Sequence, residues 1–404
     1  VELDVDADPI RRYARPLIEF VDPDSQQPEA GSLHTIAGDT QVSQPWRPCG
    51  AAGEKITCIL EWTPRRDEEE YHFIVIGTAR KHQQDKGRVI FLQAQRDPAN
   101  PDRIDCNVKH IHKFEGPVRA IAPYGTFTLM VATGYDIVPL EPKFSDRRWE
   151  RSARFRLASP ALAITVHKEH LYVSTARESL VVLKVVNDKL VLCAHDRVKR
   201  EGLSHFHIGG DAKLTLASSR GGTVSALTEI SVTDQDRLMP APLSEAHLPL
   251  SVIRISPSSV PSSSSAMYGT TMDGAVYRLT ILREQEWRLL RFLQNLCVRD
   301  PVICPFTSAR KRRWTSADIE PSTSKPSHMH VDGDVLSRLL ERGSSHLRQM
   351  LAVNEDSNIS SPEMVPPKAH MERFTELVNE AFGRSLDPVQ DVMKWLRDLL
   401  RINL

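Results

Sequence analysis

No two cysteines in this chain stand close enough to form a CxxC clip. The six, Cys49, Cys58, Cys106, Cys193, Cys297 and Cys304, are scattered along 404 residues. That spacing reads as separate core thiols of a reducing compartment, not as a disulfide framework or a zinc ribbon. A charge excess is missing as well, because 52 Lys plus Arg balance 52 Asp plus Glu. A groove that tracks phosphates shows a basic surplus, so nucleic-acid binding is not expected as the main activity, although a local patch stays open. No run reaches the ~18 apolar residues that a membrane span needs. The opening VELDVDADPI is acidic where a secretory leader is basic and then apolar, and its missing methionine reads as a cut or processed start. The catalytic inventory is equally thin, with no GxSxG elbow, P-loop, HExxH or Rossmann glycine set. The sequence therefore predicts neither an enzyme nor a cofactor, metal or small-molecule substrate.

What is present is repetition. From Ile56 to Leu282, short apolar or alternating runs are separated by turn residues: ITCILEW, YHFIVIGTA and GRVIFLQAQ, then PVRAIAPY, FTLMVATG and YDIVPLEP. Further rounds follow in ALAITVHK to KLVLCAHD, in LSHFHIGG to GTVSALTE, and in LPLSVIRIS to GAVYRLTIL. The rounds open at residues 56, 117, 161, 203 and 248. Short strands recurring every ~40–45 residues predict a β-propeller, in which each small sheet stacks on its neighbours because it cannot bury both faces alone. No round ends in the Trp-Asp pair of the WD repeat, so the propeller is a divergent, WD40-like one. About five rounds, preceded by RPLIEFVDP and SLHTIAG as half a blade, predict an incomplete ring over residues 1–282.

At Arg283 the period changes. EQEWRLLRFLQNLC places Trp287, Leu290 and Leu293 on one helical stripe, and VDGDVLSRLLERG runs as a helix to a stop at Gly343. SHLRQMLAV, HMERFTELVNEAFG and DPVQDVMKWLRDLL follow, the last with Asp387 as N-cap and Pro388 at the first helical position. Residues 283–404 thus form a small α-helical domain, with a polar, Pro-rich linker near 354–369. So interrupted a segment is expected to have little core of its own. Part of the stripe holding Val392, Trp395, Leu396 and Leu399 is expected to face a partner or a further propeller.

Three motifs could carry chemistry. SHMHVDGD places His328 and His330 just before Asp332, Gly333 and Asp334, all but the glycine being metal-ligand types. The spacing lacks the further acidic positions of a calcium loop, whereas Asp332 or Asp334 as a helix cap, with Gly333 in the turn, needs nothing more. His205 and His207 alternate on one strand and read as edge or funnel residues, with a ligand pair as the other possibility. Arg310, Lys311, Arg312 and Arg313 suit a nuclear signal or a phosphate contact, and equally a solvated helix approach.

HMHVDGDVLSRLLE resembles the Asp-Gly-Asp segment of the family that contains the large subunits of damaged-DNA-binding protein and of the cleavage and polyadenylation specificity factor, with a splicing factor 3b subunit. YHFIVIGTA followed by KGRVIFLQ, MYGTTMDGAVYRLTIL followed by EWRLLRFLQNL, and RRWTS resemble that family in the same order. The resemblance covers roughly residues 15–404, the family's third propeller and C-terminal helices. It implies a seven-bladed propeller in a larger, nuclear, non-enzymatic scaffold with protein partners in a multi-subunit complex. Its adaptor branch serves cullin-type ubiquitin ligases in DNA repair, replication or chromatin control. The alternative branch works in mRNA 3′-end processing or splicing, with nucleic acid reached through the complex. By alignment, the implied partner-binding wall includes Leu203, His205, Leu250, Val252 and Ile253, and Trp395 is a further candidate. The adaptor branch has a tryptophan near Gly202, which departs from it and suggests a divergent paralogue.

Overall fold

In the computed structural model the described residues are 2–3, 14–15, 54–66, 69–80, 86–97, 100–143, 148–151, 153–208, 214–228, 242–257, 266–305, 329–352 and 370–401. The described residues are mainly β, a propeller-like series of antiparallel sheets followed by four described helices. By contact it divides into two compact units: residues 1–242, 247–255 and 270–275, and residues 243–246, 256–269 and 276–404. The strands Ser244–His247, Val252–Pro257 and Ala266–Thr271 are thus divided between the units, and Val276–Thr280 belongs to the second.

Within the strand-rich unit each sheet is a meander, strands neighbouring in sequence being neighbours in space. The first sheet comprises Glu54–Trp62, Phe73–Arg80, Gly87–Asp97 and Asn100–Phe114. The second comprises Val118–Tyr124, Thr128–Thr133, Asp136–Lys143 and Arg148–Arg151, with Phe155–Arg156 also pairing against Asp136–Ile137. The third comprises Ala161–His167, His170–Thr175, Ser179–Val186 and Lys189–His195. The fourth begins with Gly202–Ile208, Leu214–Ser219 and Thr223–Thr228. The half blade expected before residue 54 lies almost wholly outside the described residues.

The two-residue period of a strand explains how the sheets stack. In TLMVAT, Leu129 and Val131 pack toward the first sheet with Val75, Val89 and Phe91. Their alternates Met130 and Ala132 pack toward the third sheet with Leu171, Val173 and Val181. The third sheet repeats the arrangement, Tyr172, Leu180 and Val182 meeting Ala217 and Leu227 of the fourth. Central strands covered on both faces need no polar positions, which is why these runs lack alternation. Gly87 marks how closely two sheets approach, since an added Cβ would lie 2.5 Å from the Val118 nitrogen.

A buried hydroxyl ends the second strand of every round. Thr78, Thr175, Ser219 and Thr271 each accept the backbone N–H that opens the following turn or strand, from Arg88 at 3.1 Å, Glu178 at 3.0 Å, Thr223 at 3.3 Å and Ala275 at 3.0 Å. Thr133 instead donates to the Gly116 carbonyl at 2.9 Å. Just beyond, backbone bonds run from Gly134 to Pro117, Ala176 to Pro160 and Arg220 to Glu201, at 2.8–3.0 Å. Each ties a hairpin turn to the segment that enters the first strand of its own sheet.

The helices are α1 (Glu284–Arg299), α2 (Gly333–Ala352), α3 (His370–Phe382) and α4 (Pro388–Leu400). Gly343, at φ 83°, breaks α2 into two helical stretches. Contrary to the expectation of little core, all four helices converge on one apolar cluster that includes Leu289, Leu293, Leu339, Leu347, Phe374 and Leu396. The reason lies in the width of the stripes: in α4, Val389, Val392, Met393 and Leu396 are all buried, a face broad enough to pack on two neighbours. Asp387 caps α4 by accepting the Gln390 N–H at 3.3 Å.

Candidate interaction surfaces

The strand Gly202–Ile208 carries Leu203 and His205, two of the six residues nominated for partner contact. Leu203 and Ser204 fall in a register shift between Gly202 and His205, and the Ser204 hydroxyl accepts the Ile255 N–H at 3.4 Å. That contact ties the strand Val252–Pro257 to the strand Gly202–Ile208. The side chains differ in access: Ile253 is 42% exposed, Leu203 and Leu250 are half-buried, and Val252 and His205 are closed to solvent at 1% and 4%. Gly202 is enclosed too. An added Cβ would lie 2.8 Å from the Thr175 carbonyl oxygen and 3.1 Å from that of Ser179, so a tryptophan has no room there.

His205 bridges two sheets. Its Nε2 lies 2.7 Å from Thr165 Oγ1 and its Nδ1 2.7 Å from Ser174 Oγ, both on the third sheet. Burial first, and the neighbouring His207 second, push this imidazole down to about 4, so it is neutral at neutral pH. With both nitrogens held by hydroxyls it is a seam residue and presents no open ligand position. His207 stacks on Tyr172 at 4.7 Å and meets Thr215 Oγ1 at 2.9 Å. Among the described residues no group of three or more His, Cys, Asp or Glu side chains could hold a metal ion, and no helix is long and apolar enough to cross a membrane.

At the start of α2, Asp332 Oδ1 accepts the Asp334 N–H at 2.9 Å. The Asp332 N–H is itself taken by Gln294 Oε1 of α1 at 2.9 Å, and the His330 carbonyl accepts from Arg291. Gly333 is the first helical residue and Asp334 lies in the first turn, where a carboxylate faces the positive end of the helix dipole. The arrangement orients a helix against its neighbour. His328 and the basic run Arg310, Lys311, Arg312 and Arg313 lie outside the described residues.

Trp395 is half-buried at the edge of the helical core, with Phe382 edge-on to it at 4.9 Å. Phe382 is itself 40% exposed, and Leu386, four residues further along the chain, is fully exposed. This gives the helical unit one apolar corner open to solvent.

Two polar clusters escaped the sequence reading. Glu54, its side chain fully buried, receives Arg88 through Nε at 2.8 Å and Nη2 at 2.6 Å, with Thr78 adding 2.7 Å. Asp196 is held alike by Ser179 at 2.6 Å, Arg200 at 2.7 Å and the Val198 N–H at 3.0 Å. A signal was available in two rounds: an acidic residue at a strand boundary, Glu54 or Asp196, bonded to a buried Thr78 or Ser179.

Comparison with known proteins now decides the family. The family model described as the CPSF A subunit region matches residues 52–341, from the first sheet to the first half of α2. The chain belongs to the CPSF A subunit family. An uncharacterized protein of Schizosaccharomyces pombe is 22% identical over 251 residues, 58% of this chain and 23% of that protein. The chain therefore spans under a quarter of that relative's length within the match. Family membership accounts for the resemblance of the YHFIVIGTA and Asp-Gly-Asp segments.

Proposed function

We propose that this CPSF A chain is a non-enzymatic nuclear scaffold segment that holds protein partners on its sheets, turns and helical corner, with a domain boundary near residue 282. The observation that carries the reading is the family match, which runs unbroken from the strands into the helices across residues 52–341. The finer assignment is to an adaptor of a cullin-type ubiquitin ligase acting in DNA repair, replication or chromatin control. Exposed Ile253, with half-buried Leu203 and Leu250, offers the accessible part of the expected partner wall, while His205 and Val252 are enclosed. Trp395 with Phe382 and Leu386 offers a second contact. Rigid sheets suit such a role because a partner then pays little ordering entropy on the scaffold side.

Tandem affinity purification of the tagged chain from nuclear extract, with quantitative mass spectrometry, tests this. A cullin and repair or replication factors at near-stoichiometric ratio are the expected result. Recovery of cleavage, polyadenylation or splicing subunits would transfer the chain to the RNA-processing branch. Recovery of the chain alone, at a salt concentration that preserves known complexes, would overturn the scaffold reading.

A further inference from the structure

The chain is neutral overall, yet one end of its sheets is not. Because each sheet is an antiparallel meander, the turn between its second and third strands lies at the same end as the segment leading into its first strand. Backbone bonds join these pieces into a belt: Tyr135 accepts from Leu157, Pro160 from Ala176, Arg200 from Ser179, Glu201 from Arg220 and Gly222 from Leu248. On this belt Arg154, Arg156, Arg177, Arg197, Lys199 and Arg220 are all exposed. The opposing carboxylates are fewer. Asp196 is buried and bound to Ser179 and Arg200, which leaves Asp136, Glu178 and Glu201 along these segments, while the equivalent segments of the flanking sheets add Glu115, paired with Lys86 at 3.9 Å, and Asp273. At the other end of the third sheet, the turns carry Lys168, Glu169, Asp188 and Lys189, two charges of each sign.

The belt's own ion pairs are loose. Arg154 and Arg156 reach Asp136 only at 3.5 Å while 70% and 66% exposed, and Arg220 reaches Glu201 at 3.6 Å while 73% exposed. Exposed pairs of this kind contribute little, so the guanidinium groups can exchange partners at small cost. Arg177 and Lys199 have no ion-pair partner among the described residues. At Arg220 lies a recess of about 380 Å³ lined by Arg200, Glu201, Ser219, Arg220, Gly221 and Thr223. Tyr135, 44% exposed, adds an aromatic face already covered by the Arg156 guanidinium at 5.4 Å.

We propose that this belt is the docking surface for an acidic, extended peptide segment of a protein partner, whose carboxylates pair with Arg177, Lys199 and Arg220. The assignment rests on the scaffold reading and names the chemistry of one partner. Guanidinium forks match carboxylates two bonds at a time. Glu178 and Glu201, interspersed among the cations, tolerate spaced carboxylates but oppose the unbroken phosphate run of a nucleic acid.

The test uses the full chain and a fluorescein-labelled peptide of alternating glutamate and serine, followed by anisotropy at low salt, with oligothymidine of matched charge as comparison. The peptide should bind, and the triple variant Arg177→Glu/Lys199→Glu/Arg220→Glu should bind it about tenfold more weakly, three exposed attractions having become repulsions. Arg338→Glu/Arg342→Glu, on exposed positions of α2, should bind like the parent. If the triple variant melts early, Arg177→Gln and Lys199→Gln replace it and should each show a smaller loss. Absence of peptide binding, or binding indifferent to every one of these variants, overturns the proposal. So does tighter binding of oligothymidine through the same residues, which would make the belt a nucleic-acid surface. Stoichiometric partners that stay bound to the triple variant would refute this surface alone. Peptide binding by a chain that purifies without partners would refute the scaffold reading alone.

Discussion

The sheets and the helices of this chain solve the problem of cohesion differently. Every buried polar or charged side chain among the described residues, from Glu54 and Thr78 to His205 and Thr271, belongs to the strand-rich unit. The helices bury leucines, valines, methionines, a phenylalanine, a cysteine and an isoleucine in a single cluster. The apolar residues of the sheets are instead split among separate clusters, three at junctions between neighbouring sheets and one within the first sheet. A helix satisfies its own backbone, so apolar faces are enough to assemble four of them. A meander sheet leaves turn amides and entering segments to be satisfied at each junction. Hydroxyls and the Asp196 carboxylate do that here, and the His205 imidazole ties the fourth sheet to the third.

Replacing Phe374 by Ala should have the largest effect. The ring is 0% exposed at the centre of the helical cluster, and such truncations cost about 3–5 kcal/mol. Hydrogen exchange read by mass spectrometry should show protection lost across α1–α4 and retained in the first three sheets. Equal loss in both would mean that the two kinds of region unfold as one and that the contrast in cohesion has no energetic counterpart.

The matching change in the sheets is Arg88→Met. It strands the Glu54 carboxylate in a fully buried site with the Thr78 hydroxyl and, at 3.7 Å, Arg80. Removing one partner of a buried pair costs about 3 kcal/mol or more, whereas replacing both by apolar groups restores much of the stability. Urea unfolding of Arg88→Met and of Glu54→Met/Arg88→Met should therefore rank the double variant above the single. The reverse order would show that the pair stabilises beyond what packing can supply.

Acid should separate the regions further. His205 and His112 both bind a proton more weakly in the folded chain than the ordinary 6.5, at about 4 in each case. Burial is the first cause for both, helped by His207 for one and by Arg151 and His110 for the other. The unfolded chain thus takes up protons that the folded chain refuses, and stability present above pH 6.5 is lost progressively as pH falls toward 4. For His205 alone the loss is roughly 3 kcal/mol. His205→Asn should flatten the pH dependence of sheet unfolding in this window and leave that of the helices as in the parent. An unchanged slope would mean that His205 is not the group responsible.

How much of this was legible beforehand follows the same division. The strand rounds could be read from FTLMVATG or SLVVLKVV because a strand covered on both faces shows an unbroken apolar run. The helices could be read from the spacing of Leu289, Leu293 and Leu296, but not their mutual packing, since periodicity gives a face and not what covers it. Candidate site residues fared worst. His205 and Val252 belong to strands whose alternation says which residues share a face, yet only the stacking of sheets decides that both are enclosed while Ile253 is open. The charged belt was hidden because Arg154, Arg177, Lys199 and Arg220 come from separate turns that a list of motifs cannot join.

The smallest effect expected is at the start of α2. Asp332 accepts one free amide of the helix, that of Asp334, and the contact is partly solvated. Asp332→Ala should cost about 1 kcal/mol, and Asp332→Asn, which keeps an acceptor oxygen, only a fraction of that. The change should appear as faster exchange of the first α2 amides, with the sheets untouched. Calcium, magnesium or zinc added to metal-stripped protein should leave the melting temperature where it was, because a capping carboxylate needs no ion. A saturable rise in melting temperature that Asp332→Asn abolishes would instead make the His330, Asp332 and Asp334 segment a ligand set. The contrast between polar seams and an apolar helical core would then fail at this point, since a helix junction would depend on a buried charge after all.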